Sequence, residues 1–191
     1  AGADFDARLD VRPLDPICRY FWRDGTRFDA AGSPGGFTAA AAETFGEPVE
    51  HLQDFFARAK RIYDITGHLF LEKSLHEWST VTSDGFFRSL LQVGRIDSMR
   101  TLHDANAATF SDPRLVQLFD RYATYNGSSP FLTPATMTII PDVEYRGGGY
   151  ALGEGIYSLP QALETLAREL GVSIHYGTPV ERILTDPGSR R

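Results

Sequence analysis

Two glycine-rich breaks are the residues of this chain best placed to do chemistry: Asn126-Gly127-Ser128-Ser129 and Gly147-Gly148-Gly149, the second continued by Gly153-Glu154-Gly155. Each is followed by a helix-start signal, Thr133-Pro134 in the first case and Ser158-Leu159-Pro160-Gln161 in the second. Pro near the first helical position and a Ser or Thr cap begin helices, and Gln161 three residues after Ser158 completes a capping box. Glycine lets a backbone approach another surface closely, and a helix N-terminus offers unpaired N–H groups to it. The arrangement suits a buried, partly anionic ligand. The same glycines could do no more than turn the chain.

Self-contained catalysis is not visible. The sequence has no GxSxG elbow, no HExxH, no phosphate-binding loop and no paired-cysteine motif. Gly153-Glu154-Gly155 is not a dinucleotide fingerprint, because it lacks both a preceding strand and a third glycine. The five histidines, His51, His68, His76, His103 and His175, show no ligand spacing, so no metal site is expected. Cys18 is the single cysteine, which excludes an internal disulfide and a zinc-type cluster and fits a reducing cytoplasm.

Composition narrows the class. With 191 residues, 42% hydrophobic and 23% charged at net charge −6, the chain reads as a globular piece of one or two domains. The acidic balance argues against a nucleic-acid partner, which needs a basic face. No apolar run approaches the roughly 20 residues of a membrane span, and the acidic start AGADFDARLD does not resemble a signal peptide. The 12% aromatic content would suit a large apolar cavity or an ordinary core.

The elements that must position these groups follow in order. Residues 9–31 read as strands, with Asp24-Gly25 turning a hairpin between apolar runs. Phe37 to Phe45 is expected to be helical and to stop at Gly46. Pro48 opens a longer helix, with Leu52, Phe55, Phe56, Ala59, Ile62 and Tyr63 at helical spacing. Short helices are expected after Ser83-Asp84, Asp97 and Asp112-Pro113. Pro134 should start another helix that Pro141 kinks or ends. Ser158 to Leu170 carries a stripe of Leu159, Leu163, Leu166 and Leu170 and stops at Gly171. Val172 to Tyr176 and Val180 to Leu184 read as strands. A helix-rich middle between strand-bearing ends predicts an α+β fold.

Residue identity adds a family resemblance. RYATYNGSSPFLTPAT from Arg121, IPDVE from Ile140, and YALGEGIYSLPQALETLARELGVSIHYGTPVERIL from Tyr150 resemble the bacterial phytoene desaturases, FAD-dependent carotenoid desaturases akin to amine-oxidase flavoenzymes. LDPICRYFWRDGTRFD from Leu14 extends the resemblance into the first third. Within the family, Arg121 to Thr136 is most similar to hydroxyneurosporene-type and related 3,4-desaturases.

The resemblance implies an interior piece of a longer enzyme whose GxGxxG unit lies upstream. Residues 1–145 would form a largely helical substrate-binding region with a small antiparallel or mixed sheet, a hairpin at 9–31 and helices over 37–145. Residues 146–191 would re-enter the FAD domain as a helix–strand piece. The family's Gly-Gly beside the flavin corresponds to Glu154 and Gly155, preceded by Gly153 and followed by Ile156. Glu154 departs from that pattern, a side chain standing where the family has none. Val180 matches a segment that meets the adenine end through main-chain groups. The nearest matches to an acidic residue and an arginine placed near the flavin are Glu77 and Arg88.

The implied reaction removes a hydride and a proton from an apolar polyene, so specificity must come from an apolar tunnel. Its candidate walls are Phe86, Phe87, Leu90, Tyr122, Tyr125, Phe131, Ile139 and Tyr150, each of which would serve equally as plain core. The isolated chain is expected not to hold FAD tightly and to self-associate. A lipid-borne carotenoid substrate implies a cytoplasmic protein resting on a membrane surface. The rival functions are a stand-alone lipid-binding module without redox activity, and another amine-oxidase-like flavoenzyme acting on retinol or a polar amine.

Overall fold

Four-residue strands, helices of 8 to 22 residues and an aromatic core make up the α+β architecture of the computed structural model, which describes residues 4–70 and 96–184. The short helix expected after Ser83-Asp84 lies outside those residues, as do Glu77, Phe86, Phe87, Arg88 and Leu90. The chain divides into two compact units, residues 13–150 and residues 1–12 with 151–191. It passes from one to the other within strand β1 (Val11–Leu14) and within β4 (Gly149–Leu152), which pair with each other.

The larger unit starts from the expected hairpin. Strands β2 (Cys18–Phe21) and β3 (Arg27–Ala30) pair antiparallel in the register Arg19 to Asp29 and Tyr20 to Phe28. The Asp24 carboxylate holds the turn by accepting the Thr26 N–H at 2.9 Å. Period two then sorts the faces: Phe28 and Ala30 are buried, while Arg19 and Arg27 pair with Asp29 on the open side.

Helix α1 (Pro34–Phe45) begins with Pro34 after Ser33, whose Oγ accepts from the Gly36 N–H at 3.1 Å. It ends at Gly46, whose φ of 67° is the left-handed cap a side chain would strain. Helix α2 (Val49–Phe70) buries Leu52, Phe55, Phe56, Ala59 and Ile62, the stripe that the sequence spacing predicts. Helices α3 (Leu102–Thr109) and α4 (Pro113–Asp120) follow, the latter capped by Asp112 through the Arg114 N–H at 2.7 Å. A 3-10 turn (Arg121–Asn126) continues α4, and a second (Ala135–Thr138) leads into α5 (Ile139–Gly147).

Aromatic rings knit these elements together. Phe119 lies 4.3 Å from Phe55, 4.8 Å from Phe110 and 5.6 Å from Phe37, centroid to centroid. Phe37 in turn meets Tyr145 at 4.6 Å and Phe28 at 5.3 Å. Such stacked, tilted and edge-on pairs add to the area they bury. Glu47, its side chain fully buried in the link between α1 and α2, accepts the Ser111 N–H at 2.9 Å and the Asp112 N–H at 3.3 Å. A buried anion at the start of α4 favours the helix dipole and satisfies two free donors.

The smaller unit is sparse. Helix α6 (Ser158–Glu169) buries none of its residues, and Leu159, Leu163 and Leu170 are exposed. Arg8 reaches Glu169 in a two-bond ion pair, and the Gly153 N–H donates to the Asp10 carbonyl at 2.8 Å.

Several local expectations are corrected. Asp97 is not a helix cap. It stands at φ 53° and binds Arg100, while Thr101 caps α3 through the Asp104 N–H. Pro141 neither kinks nor ends a helix but sits in the first turn of α5, where a missing N–H costs nothing. Ser158 and Gln161 form no capping box; Tyr157 occupies the cap position, and the Ser158 hydroxyl donates to the Gly155 carbonyl. Residues 172–176 and 180–184 are not strands. A strand needs a neighbour's N–H and C=O groups, and among the described residues none is paired with them.

Candidate functional site

In the smaller unit four of the expected cofactor residues, Gly153 to Ile156, fall in one turn after β4, while the fifth, Val180, lies beyond α6. The Gly155 N–H closes the turn on the Leu152 carbonyl at 2.8 Å, and φ at Gly155 is +84°, a conformation natural to glycine. Nothing lies within 4 Å of where a Gly155 Cβ would stand, so this backbone presents an open face. Gly153 differs: a Cβ there would run into the Asp10 carboxylate, which pairs with Arg12. Its close approach serves the chain's own ion pair. Glu154 and Ser158 border an open cleft of about 580 Å³ whose other walls include Arg8 and Asp10. Ile156 is 79% exposed and Val180 is 80% exposed.

The larger unit holds a polar nest at the edge of its aromatic core, from the buried Tyr122 and Tyr145 out to Tyr125, which is 60% exposed. Tyr122, fully buried, donates its hydroxyl to Glu144 Oε1 at 2.8 Å, and Tyr125 donates to Glu144 Oε2 at 2.8 Å. Arg121 Nη2 stands 3.5 Å from Glu144 Oε1. The guanidinium lies 4.4 Å over the Tyr122 ring, 5.5 Å over Tyr20 and 6.0 Å over Tyr125. Burial works against the Arg121 charge, but Tyr122, Tyr20 and Glu144 outweigh it and hold its pKa above the ordinary value. Burial also pushes Tyr20 up to about 12 and raises Tyr122 and Tyr145 further, so all three keep their protons at neutral pH.

Of the expected wall residues, the structure brings Tyr122 and Tyr125 together, stacked at 5.8 Å. Ile139 is half-buried at the start of α5. Phe131 instead packs on the His103 ring at 4.3 Å, and Tyr150 lies against Gly148. Arg121, Glu144, Tyr20 and Tyr145 were not singled out by sequence reasoning. A signal existed: Arg121 follows Leu115 and Leu118 at helical spacing, and Glu144 follows Ile140, so each puts a charge on an apolar stripe. His103 binds Asp120 at 2.7 Å, and among the described residues no three candidate ligands gather as a metal site.

The family model for flavin-containing amine oxidoreductases matches residues 3–191, and the chain belongs to that family. Among its curated relatives are several carotenoid enzymes. The chain is 41% identical to a 1-hydroxycarotenoid 3,4-desaturase of Flavobacterium sp. (strain P99-3), over 87% of its length and 34% of the relative. It is 30% identical to a hydroxyneurosporene desaturase of Rubrivivax gelatinosus, over 98% of its length and 36% of the relative. With a zeta-carotene-forming phytoene desaturase of Myxococcus xanthus it shares 40% identity over 54% of its length and 20% of the relative. The chain thus spans about a third of the length of the first two relatives.

Proposed function

We propose that this chain is the substrate-binding region and a flavin-contacting arm of an FAD-dependent carotenoid desaturase. The observation that carries the reading is the match to flavin-containing oxidoreductases along residues 3–191, with relatives named as carotenoid desaturases. When bound, FAD supplies the acceptor for the hydride taken from the polyene. The open face of Gly155 and the exposed Ile156 fit a flat apolar ring system, whereas Gly153, already closed by Asp10, does not. Val180 would meet the adenine end through its backbone. Glu77 and Arg88 stay the candidate polar residues near the flavin.

The larger unit supplies apolar surface of the kind a polyene needs to displace water, with Tyr125, Phe131, Ile139 and Tyr150 as its candidate contacts and the fully buried Tyr122 supporting Tyr125 from beneath. The exposed Leu163, Leu170, Ile183 and Leu184 of the smaller unit are surfaces that the rest of the polypeptide would cover, which makes the isolated chain prone to self-association. Among the described residues no helix is long and apolar enough to cross a membrane, and access to the lipid-borne substrate would come from peripheral contact. A polar-amine oxidase would need an aromatic cage beside the flavin, and Tyr150, 61% exposed, does not make one by itself.

The test uses the complete reading frame that contains this chain. Purified protein should carry flavin absorption bands and lengthen the conjugated system of an acyclic carotenoid in lipid vesicles. Flavin-loaded protein that leaves every acyclic carotenoid unchanged but oxidises an amine would overturn the reading.

A further inference from the structure

A desaturation removes a proton as well as a hydride. Each new double bond takes the hydride from one carbon of the polyene and the proton from its neighbour, and that proton needs a positioned acceptor. A histidine held by a carboxylate meets the need, because the carboxylate fixes the tautomer and balances the imidazolium that forms. The larger unit holds such a group outside the nest around Arg121.

His103 is the second residue of α3 and Asn106 stands three residues on, so the two share a face of the helix. They meet Asp120, the last residue of α4. One Asp120 oxygen accepts from Asn106 Nδ2 at 2.9 Å, and the other lies 2.7 Å from His103 Nδ1. Asn106 is fully buried and orients the carboxylate. A carboxylate only accepts, so the ring proton belongs on Nδ1 and Nε2 is the basic nitrogen. The His103 side chain is 31% exposed and can be reached from outside. The Pro130 carbonyl takes the His103 backbone N–H at 3.1 Å, and the Phe131 ring lies 4.3 Å from the imidazole. Phe131 is exposed and a candidate polyene contact, so a polyene laid on that ring passes beside the imidazole. His51 also meets a carboxylate, Glu47 at 2.7 Å, but Glu47 is committed to the N–H groups at the start of α4.

We infer that His103 Nε2 is the base of the desaturation, with Asp120 and Asn106 as its positioning residues. One allylic C–H bond breaks and its electron pair leaves as hydride to the flavin, which gains two electrons. The neighbouring C–H bond breaks, its electron pair becomes the new C=C bond, and its proton goes to Nε2. The imidazolium then hands that proton to water. The inference rests on the carotenoid reading above and adds to it the group that takes the proton.

The test uses the complete flavin-loaded protein with an acyclic carotenoid in lipid vesicles. His103→Gln should slow desaturation about 100-fold or more, the low end of what a positioned base contributes. Deuterium on the carbon that loses the proton should slow this variant more than the parent, because proton removal has become limiting. His103→Ala should regain activity when imidazole is added. Asp120→Asn keeps the shape and the Asn106 contact but turns a donor toward Nδ1, which moves the ring proton to Nε2. Proton–nitrogen couplings of the isotope-labelled imidazole should show that exchange, and the rate should fall comparably. A rate that survives His103→Gln, a slowed rate with an unchanged isotope effect, or an exchanged tautomer with an unchanged rate would overturn the base and leave the carotenoid reading standing. A parent protein that desaturates no carotenoid would overturn both.

Discussion

Residues 13–150 bury a continuous aromatic cluster, whereas helix α6 in residues 151–191 buries none of its residues despite a regular leucine stripe. The two stretches have similar local helix signals. What separates them is the presence of a partner: Phe119 finds Phe37, Phe55 and Phe110 within this chain, while Leu163 stays 58% exposed. Local pattern forms an element, and only a second surface makes it stable. The larger unit is therefore expected to hold itself together, and the smaller one to depend on polypeptide beyond this chain.

Truncating a ring in the larger unit should give the largest effect. Phe119→Ala should destabilise the chain by about 3–5 kcal/mol in denaturant unfolding, because a cavity opens among rings that cannot all collapse onto it. A loss below about 1 kcal/mol would mean that the cluster is loosely packed and that the contrast between the units is false. Glu47→Ala should cost about 1–3 kcal/mol by removing the acceptor of the part-buried N–H groups of Ser111 and Asp112.

Asp112→Ala removes the cap of α4 and should cost about 1 kcal/mol. Its pH dependence has a definite sign. The Arg114 side chain, aided by the Arg114 backbone N–H, holds the Asp112 carboxylate below its ordinary value against the opposing effect of burial. A lowered folded pKa gives stability that is complete above the unfolded value of about 3.9 and drains away as pH falls through the folded one. As pH falls below about 4, the native chain should therefore lose stability faster than Asp112→Ala does, seen as converging unfolding midpoints. Leu163→Ala should change the stability of this chain by no more than about 0.5 kcal/mol. A cost comparable to that of Phe119→Ala would show that α6 already has a partner.

Legibility in the sequence followed the same division. The hairpin at Asp24-Gly25, the stripe of α2 and the Asp112-Pro113 start of α4 are local signals, and they were readable because each is decided within a few residues. The ends of the chain misled, since Val172 to Tyr176 and Val180 to Leu184 have strand-like composition but no paired neighbour among the described residues. Pro141 misled for a different reason: proline breaks a helix interior but not a first turn, and the boundary was placed a few residues too early. The turn at Gly155 was visible as a glycine cluster. The nest around Arg121 was not singled out, because its members come from β2, the 3-10 turn after α4 and α5, and only folding brings them together.

The dependence of the smaller unit on absent polypeptide is tested most directly by amide hydrogen exchange, comparing this 191-residue chain with the complete protein that contains it. The amides of α2 and α4 should be equally protected in both, while those of Ser158–Glu169 should exchange rapidly in the short chain and slowly in the complete one. Protection of Ser158–Glu169 in the short chain equal to that of α2 would contradict the account.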